Sequence, residues 1–324
     1  MRGIKSILGC LLIVSCFASS ACAQDFPVKP VRIIVGYVPG GAPDFIVRLL
    51  AQPMGAALGQ PILVENRAGG SGVPAILEMM NSPADGYTVL NADPSHWAIF
   101  PAIQPGLPYD AVRDFAPIGL AFISAAFVAV RTSSPVKDLR ELIALAKAKP
   151  GELQYGTPGV GSVTHLSLGT FGSLTGMNIQ HIPYKGGGQT LEALLRGDIA
   201  FTMTTMGLLA PHVKAGNLRV LAVANTARFE AYPDVPTIAE AAGLPGFGFS
   251  PTSALVARAG TPRPIIDKLS AALGKAALRP DVVEKALASG NQMAPGTPEQ
   301  LAEIIRTDIK KYAEAVKIVG VKNN

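Results

Sequence analysis

Gly36-Tyr37-Val38-Pro39-Gly40-Gly41-Ala42-Pro43-Asp44 is the stretch on which the reading of this chain depends. The apolar, β-branched run Val31-Arg32-Ile33-Ile34-Val35 leads into it, and Phe45-Ile46-Val47-Arg48-Leu49-Leu50 leads out with helical periodicity. The pattern is strand, glycine-rich turn, helix. Glycines permit positive φ and close approach to bare backbone, and Pro43 suits a first helical turn, where its missing N–H costs nothing. Free N–H groups at that helix start carry the positive end of the helix dipole, so the turn can seat a carboxylate or phosphate. It can equally be a tight connection and nothing more.

The pattern recurs along the chain. Pro61 to Asn66 reads as a second strand, followed by the turn Arg67-Ala68-Gly69-Gly70-Ser71-Gly72 and a helix over Val73–Asn81. Tyr87–Ala92 reads as a third strand. The first helix, Pro43–Leu58, contains Pro53, which predicts a kink or an early end there. Pro101–Pro117 reads as loop. A strand over Phe127–Arg131 and a helix over Asp138–Lys149 lead to a second series: strand Leu153–Gly156, turn Thr157-Pro158-Gly159-Val160-Gly161-Ser162 and helix Val163–Leu174. Strand His181–Tyr184 then ends in Lys185-Gly186-Gly187-Gly188, before a helix over Gln189–Arg196. Further strands are expected at Ile199–Met203, Arg219–Ala224 and Thr252–Ala257, and the chain beyond Pro262 is nearly all helical. Repeated βα units imply α/β lobes, each a mostly parallel sheet flanked by helices. In such sheets ligands sit beyond the carboxyl ends of the strands, so two lobes facing one another make a cleft lined by turns from both sides.

Arg2 and Lys5 precede the apolar run Ile7–Phe17 and the small residues Ser19-Ser20-Ala21-Cys22-Ala23. This predicts a secretory leader, residues 1–23, cleaved after Ala23, and a periplasmic protein. The alternative is a lipoprotein with acylated Cys22, although Ser19 stands where such sites usually carry Leu. All three cysteines, Cys10, Cys16 and Cys22, lie in the leader, so the exported domain is held by its core without disulfides. The formal net charge is +5, of which Arg2 and Lys5 supply two. No cluster of Lys and Arg with interleaved aromatics appears, which excludes nucleic acid as a partner.

Catalytic equipment is sparse. The histidines His96, His165, His181 and His212 have no metal-ligand spacing, and no nucleophile elbow or phosphate loop is present. No metal, cofactor or catalytic set is expected. Ser162 and His165 could form a hydrolytic pair, but a helix cap by Ser162 accounts for them better. Asp44 reads as a helix-dipole partner or a ligand-amine contact. Tyr37 and Tyr184 line a cleft or cover it. What remains, peptide N–H groups and small hydroxyls, suits binding a small anion unchanged.

These residues carry a family resemblance. Lys29–Val35 with Pro39–Asp44, Gly59–Gly69, Ala84–Leu90, Leu107–Asp110 with Arg113–Pro117, His165-Leu166, His181–Gly186, Lys214–Arg219, Pro233–Glu240 and Ala259–Pro262 together resemble the Bug-type extracytoplasmic solute receptors of tripartite tricarboxylate transporters. The resemblance implies a two-lobed type II periplasmic binding protein-like fold that closes on one ligand. Lobe 1 would comprise residues 24–127 and 251–324 and lobe 2 residues 128–250, with crossings at Phe127–Val130 and around Ser250–Leu255. It implies a small carboxylate ligand (an aromatic or other organic acid, or an acidic amino acid), membrane transporter subunits as partners, and a monomer. Ligand contacts would come from Tyr37, Pro39, Gly40, Gly41, Asp44, Asn66, Gly70, Ser71 and Gly72 in lobe 1. In lobe 2 they would come from Thr157, Gly159, Gly161, Ser162, Tyr184, Lys185, Gly186 and Thr205.

Three departures bear on specificity. Val73-Pro74-Ala75 replaces the family's Asn-Ile-Gly, Thr202–Thr205 lacks its acidic residue, and no Trp stands near Ser250. A less polar distal pocket, for a monoanionic or aromatic carboxylate in preference to citrate, is the expectation. Gly41→Val is expected to push the first turn off its conformation. A ligand sensor in the same frame, or a secreted hydrolase using Ser162, are the competing functions.

Overall fold

The computed structural model describes residues 26–69, 72–104 and 106–321. The expected leader with its cysteines, and the site residues Gly70 and Ser71, lie outside the described residues. The first lobe begins with β1 (Val31–Val35), α1 (Ala42–Leu58), β2 (Ile62–Asn66), α2 (Val73–Asn81) and β3 (Thr88–Ala92). β1 pairs in parallel with β2 and β3. Val31, Ile33, Ile34 and Val35 are all buried, as expected of a central strand covered on both faces. Helix α1 buries Ile46, Val47, Leu50, Met54 and Leu58 along one stripe. It runs to Leu58 with Pro53 inside it, so the early end expected there does not occur; burial of Met54 and Leu58 beyond the proline holds the last turn.

The region 101–117, read as loop, is partly ordered. A π-helical turn at Ser95–Ile99 runs into α3 (Phe100–Ile103), and α4 (Ala111–Asp114) precedes β4 (Phe115–Ser124). Asp110 caps α4 by accepting from the Val112 and Arg113 N–H groups. β4 carries Pro117 and Gly119, which hide it from propensity. Its partner, β10 (Thr252–Arg258), shifts register between Leu255 and Val256, where Pro117 stands opposite. A bulge is where a strand tolerates proline.

The second lobe contains β5 (Ala126–Arg131), α5 (Leu139–Ala148), β6 (Leu153–Thr157), α6 (Val163–Thr175) and β7 (Ile179–Pro183). It continues with α7 (Gly187–Arg196), β8 (Phe201–Thr205), α8 (Met206–Lys214), β9 (Leu218–Val223) and α9 (Ile238–Ala242). After β10 the chain returns to the first lobe with α10 (Arg263–Ala277), α11 (Pro280–Ala288), β11 (Asn291–Met293) and α12 (Pro298–Val319). The two sheets have strand orders β11-β4-β10-β3-β1-β2 and β7-β6-β8-β5-β9.

Both sheets are mixed, which corrects the expectation of mostly parallel ones. β10 and β11 add antiparallel pairings to the first, and β5 runs antiparallel to both β8 and β9 in the second. The strands that join the lobes cause this, because each enters its second sheet against the direction of the βα units. The first crossing lies at Ser124–Ala126, just before the expected Phe127–Val130. The second lies at Phe249–Pro251, where Phe249 N–H donates to Ala224 O (2.8 Å) and Ser124 N–H to Pro251 O (2.7 Å). Helix α12 packs on β4 and on α6, and so touches both lobes.

No described helix is long and apolar enough to cross a membrane. Packing at the β4 face is tight: a Cβ on Gly119 would lie 2.5 Å from Gly296 O and 3.3 Å from Leu273 Cδ2. Gly119→Ala is expected to lower the free energy of unfolding by about 1–3 kcal/mol, read from urea denaturation followed by far-UV circular dichroism.

Candidate functional site

Three parallel strands, β1, β2 and β3, end on the same side of the first sheet, and their following turns meet there. Gly36 stands against Gly72: a Cβ on Gly36 would lie 3.3 Å from Gly72 Cα and 3.4 Å from His96 Nε2. Gly72 has φ +77°, and any Cβ there would overlap the His96 imidazole. Only glycine satisfies both conditions. His96, 0% exposed, fills the space behind the two turns. Its Nδ1 accepts from the Asp93 N–H (3.2 Å), and its ring meets Tyr37 edge-on at 5.6 Å.

The Tyr37 hydroxyl donates to Asp93 Oδ2, and the Ser95 N–H donates to Asp93 Oδ1 (2.8 Å). Burial, and then the neighbouring Asp93 charge, push the Tyr37 hydroxyl well above its usual range. Burial alone would raise Asp93, but His96, Tyr37 and the Ser95 N–H hold it below the usual carboxylate value. Asp93 and His96 did not figure among the expected site residues. The signal for them was the third strand: the turns after β1 and β2 were singled out and the one after β3 was not.

Asp44 and Asn66 brace the turns from within. The Asp44 carboxylate, 4% exposed, accepts from Gly40 N–H (2.9 Å), Arg48 Nε (3.0 Å) and Asn66 Nδ2 (2.9 Å). Burial opposes its charge, but Arg48, Gly40 and Asn66 together hold its pKa below the usual value. Asn66 Nδ2 also donates to Tyr37 O (3.0 Å), and its Oδ1 accepts from Arg48 Nη2 (2.7 Å). Asp44 therefore works as a clamp inside the turn, and Gly40 gives its N–H to that clamp. Gly40 itself has φ +88°. Gly41 has φ −73° and only ordinary contacts at 3.8 Å around a Cβ, so neither its backbone angle nor the space for a Cβ requires glycine. Pro39 is exposed beside them.

In the second lobe β6, β7 and β8 end together. Thr157 Oγ1 lies 2.6 Å from His181 Nε2 and donates to Gly159 O (3.2 Å). Gly161 N–H donates to His165 Nδ1 (3.1 Å), and the His165 and His181 rings stack at 3.8 Å. Ser162 Oγ donates to Gly159 O (2.9 Å) and accepts from the His165 backbone N–H (3.2 Å). Ser162 is thus the cap of α6, and His165 holds the turn rather than activating the serine. Burial, and then the neighbouring His181, lower the His165 pKa to about 3; burial lowers that of His181 to about 4.

Tyr184 N–H donates to Thr157 O (2.9 Å), Lys185 is exposed, and Gly186 and Thr205 occupy the N-caps of α7 and α8. Gly161 and Gly207 are among the glycines at which the lobes touch. A Cβ on Gly161 would lie 2.8 Å from Ile103 Cδ1, and one on Gly207 would lie 2.8 Å from Ser289 O. Among the described residues no group of three His, Cys, Asp or Glu side chains could hold a metal ion.

Two α/β lobes, strand-end turns on each and two crossings between them define a two-lobed binding protein of the periplasmic type. The family model described as "Tripartite tricarboxylate transporter family receptor" matches residues 46–321. Protein BugT of Bordetella pertussis is 33% identical, with 99% of each chain covered. The structure of R. palustris Rpa4515 with adipate is 30% identical with a TM-score of 0.82, covering 92% of this chain and 99% of that one. MatC from Rhodopseudomonas palustris with bound malate is 30% identical with a TM-score of 0.77, covering 90% and 100%. The chain belongs to the tripartite tricarboxylate transporter receptor family and is a solute receptor of the Bug type.

The neutral histidine pair has a measurable consequence. Unfolded, both rings take protons below the ordinary value of 6.5; folded, they stay neutral to about pH 4 and 3. The unfolded state therefore binds more protons in this window, and stability falls as pH drops from about 6.5 toward 4. In His165→Asn/His181→Gln, which keeps hydrogen-bonding groups near the native ring nitrogens, the melting temperature is expected to fall less steeply between these pH values.

Proposed function

We propose that this receptor works in the periplasm, after removal of residues 1–23, and captures a small carboxylate between lobe 1 (24–127 and 251–324) and lobe 2 (128–250) for transfer to a membrane transporter. The observation that carries this reading is the Gly36–Gly72 contact over His96. Two turns pack glycine against glycine there at the ends of parallel strands, beside the N-terminus of the 17-residue helix α1. That arrangement presents backbone donors and a positive helix end to one anionic group. The adipate and malate held by the two relatives are carboxylates, which supports the same ligand class here. Lobe 2 supplies the rest of the pocket through Thr157–Ser162, Tyr184–Gly186 and Thr205. The ligand there is monoanionic or aromatic in preference to citrate, a reading supported by the apolar Val73-Pro74-Ala75, by Thr202–Thr205 without an acidic residue and by the lack of a Trp near Ser250.

The test is a thermal-shift panel of adipate, malate, benzoate, phenylacetate and citrate, with native mass spectrometry of the purified protein for a retained acid. A ligand present at 100 times its Kd raises the unfolding free energy by about 2.7 kcal/mol. At least one carboxylate is expected to raise the melting temperature, with citrate inert. A panel without any shift and no retained acid removes the carboxylate reading; a shift by citrate alone removes the specificity. Gly72→Ala is expected to abolish the shift and Gly41→Ala to preserve it. Equal shifts in both variants would move the ligand away from the Gly36–Gly72 contact.

A further inference from the structure

We propose a second ligand site on the back of the hinge, for a monoanion with an apolar body such as an arylalkyl carboxylate. It goes beyond the cleft receptor reading and does not depend on it. A groove of about 720 Å³ is walled by α6, by the segment Leu244–Phe249 that leads into the second crossing, and by α12. That volume lies in the range of small-molecule sites. Its apolar surface comes from Leu174, Leu244, Phe247, Phe249 and Ile318.

Lys311 of α12 supplies the charge. Its ammonium lies 4.7 Å from the Phe249 ring centroid and 5.1 Å from that of Tyr312. The other ion pairs of α12 go elsewhere, Arg306 to Glu303 and Glu299 to Arg263, and Lys311 has no ion pair among the described residues. The Asp308 carboxylate, one turn earlier, accepts from Trp97 Nε1 (3.0 Å). Burial lowers the Lys311 pKa, against the opposing pull of Asp308. A half-buried cation with aromatic rings beneath it gains from an anion that shares its desolvated position. Glu314 at the rim is the one acidic side chain among the lining residues, and it disfavours a second negative charge on the ligand. Carboxylate against Lys311 and aryl body against Phe247 and Leu174 is the arrangement that these groups accept. One wall is the crossing segment and another the helix that touches both lobes, so a ligand here lies against the parts that move when the lobes close.

Trp97 is the only tryptophan in the chain, and its indole is bonded to Asp308, so its fluorescence reports on this end of α12. Titration of the full protein with 4-phenylbutyrate is expected to give a saturable change in that fluorescence, matched by calorimetry. Lys311→Met should weaken binding by about tenfold or more, equivalent to about 1.4 kcal/mol, and neutral 4-phenylbutanol should bind comparably weakly. Leu174, 54% exposed at the rim, tolerates substitution without loss of the fold, and Leu174→Glu should weaken the anion in the same way. Equal affinity in both variants would place the probe in the cleft or on an unrelated surface and overturn the proposal. Absence of saturation in the wild-type protein would overturn it as well.

Discussion

A buried carboxylate holds the strand-end turns of the first lobe together. Asp44 is withdrawn from water, and burial of an unpaired charge costs several kcal/mol. Three donors offset that cost, and each comes from a different place: a glycine N–H in the first turn, an arginine one helical turn onward, and an amide at the end of the second strand. The carboxylate is therefore satisfied only when the two turns are in register. Asn66, bonded to both Asp44 and the Tyr37 carbonyl, carries that register across. The apposition of Gly36 and Gly72 follows.

The strand–turn–helix order of this region was legible because each step has a local cause: β-branched residues, glycines at positive φ, a proline at the helix start. The fold class followed from repetition of that unit. The functions of individual side chains within the turn were not legible, since they depend on groups distant in the chain. Asp44 reads as a dipole partner in sequence and proves to be a clamp because Asn66 reaches it from 22 residues away. Gly40 and Gly41 look alike in sequence; only the backbone angles separate the one that needs to be glycine from the one that does not. β4 was hidden by Pro117 and Gly119, whose cost is removed by a bulge opposite Val256 and by the close approach of Gly296. The mixed sheets were illegible for a related reason: a crossing strand looks like any other apolar run until its partners are known.

Close approach between the lobes also depends on glycines. Gly161 meets Ile103, and Gly207 meets Ser289, at distances that leave no room for a side chain. These contacts lie at separate places on the lobe boundary, one at the mouth of the second-lobe turns and one at the turn before β11. Backbone against backbone or against a single apolar side chain packs with little rotamer entropy to lose. The crossings join the lobes, and these contacts hold them close at Gly161 and Gly207.

Behind the cleft, the polar interior is less well satisfied than the turns in front of it. His96 Nε2 and the Tyr312 hydroxyl are buried without a partner among the described residues, and each such atom forgoes about 1–3 kcal/mol. Both rings are nonetheless well packed, His96 beneath two glycines and between Tyr37 and Phe100, Tyr312 against Phe249. The area that these rings bury outweighs one unmade hydrogen bond each. A smaller apolar residue at 96 would leave Gly36 and Gly72 unsupported, and a β-branched one would meet the glycine backbone with the wrong shape. The orphaned nitrogen is thus the cost of a flat, rigid ring in a space that only a flat ring fills, and the two turns owe their shape to it as much as to the clamp at Asp44.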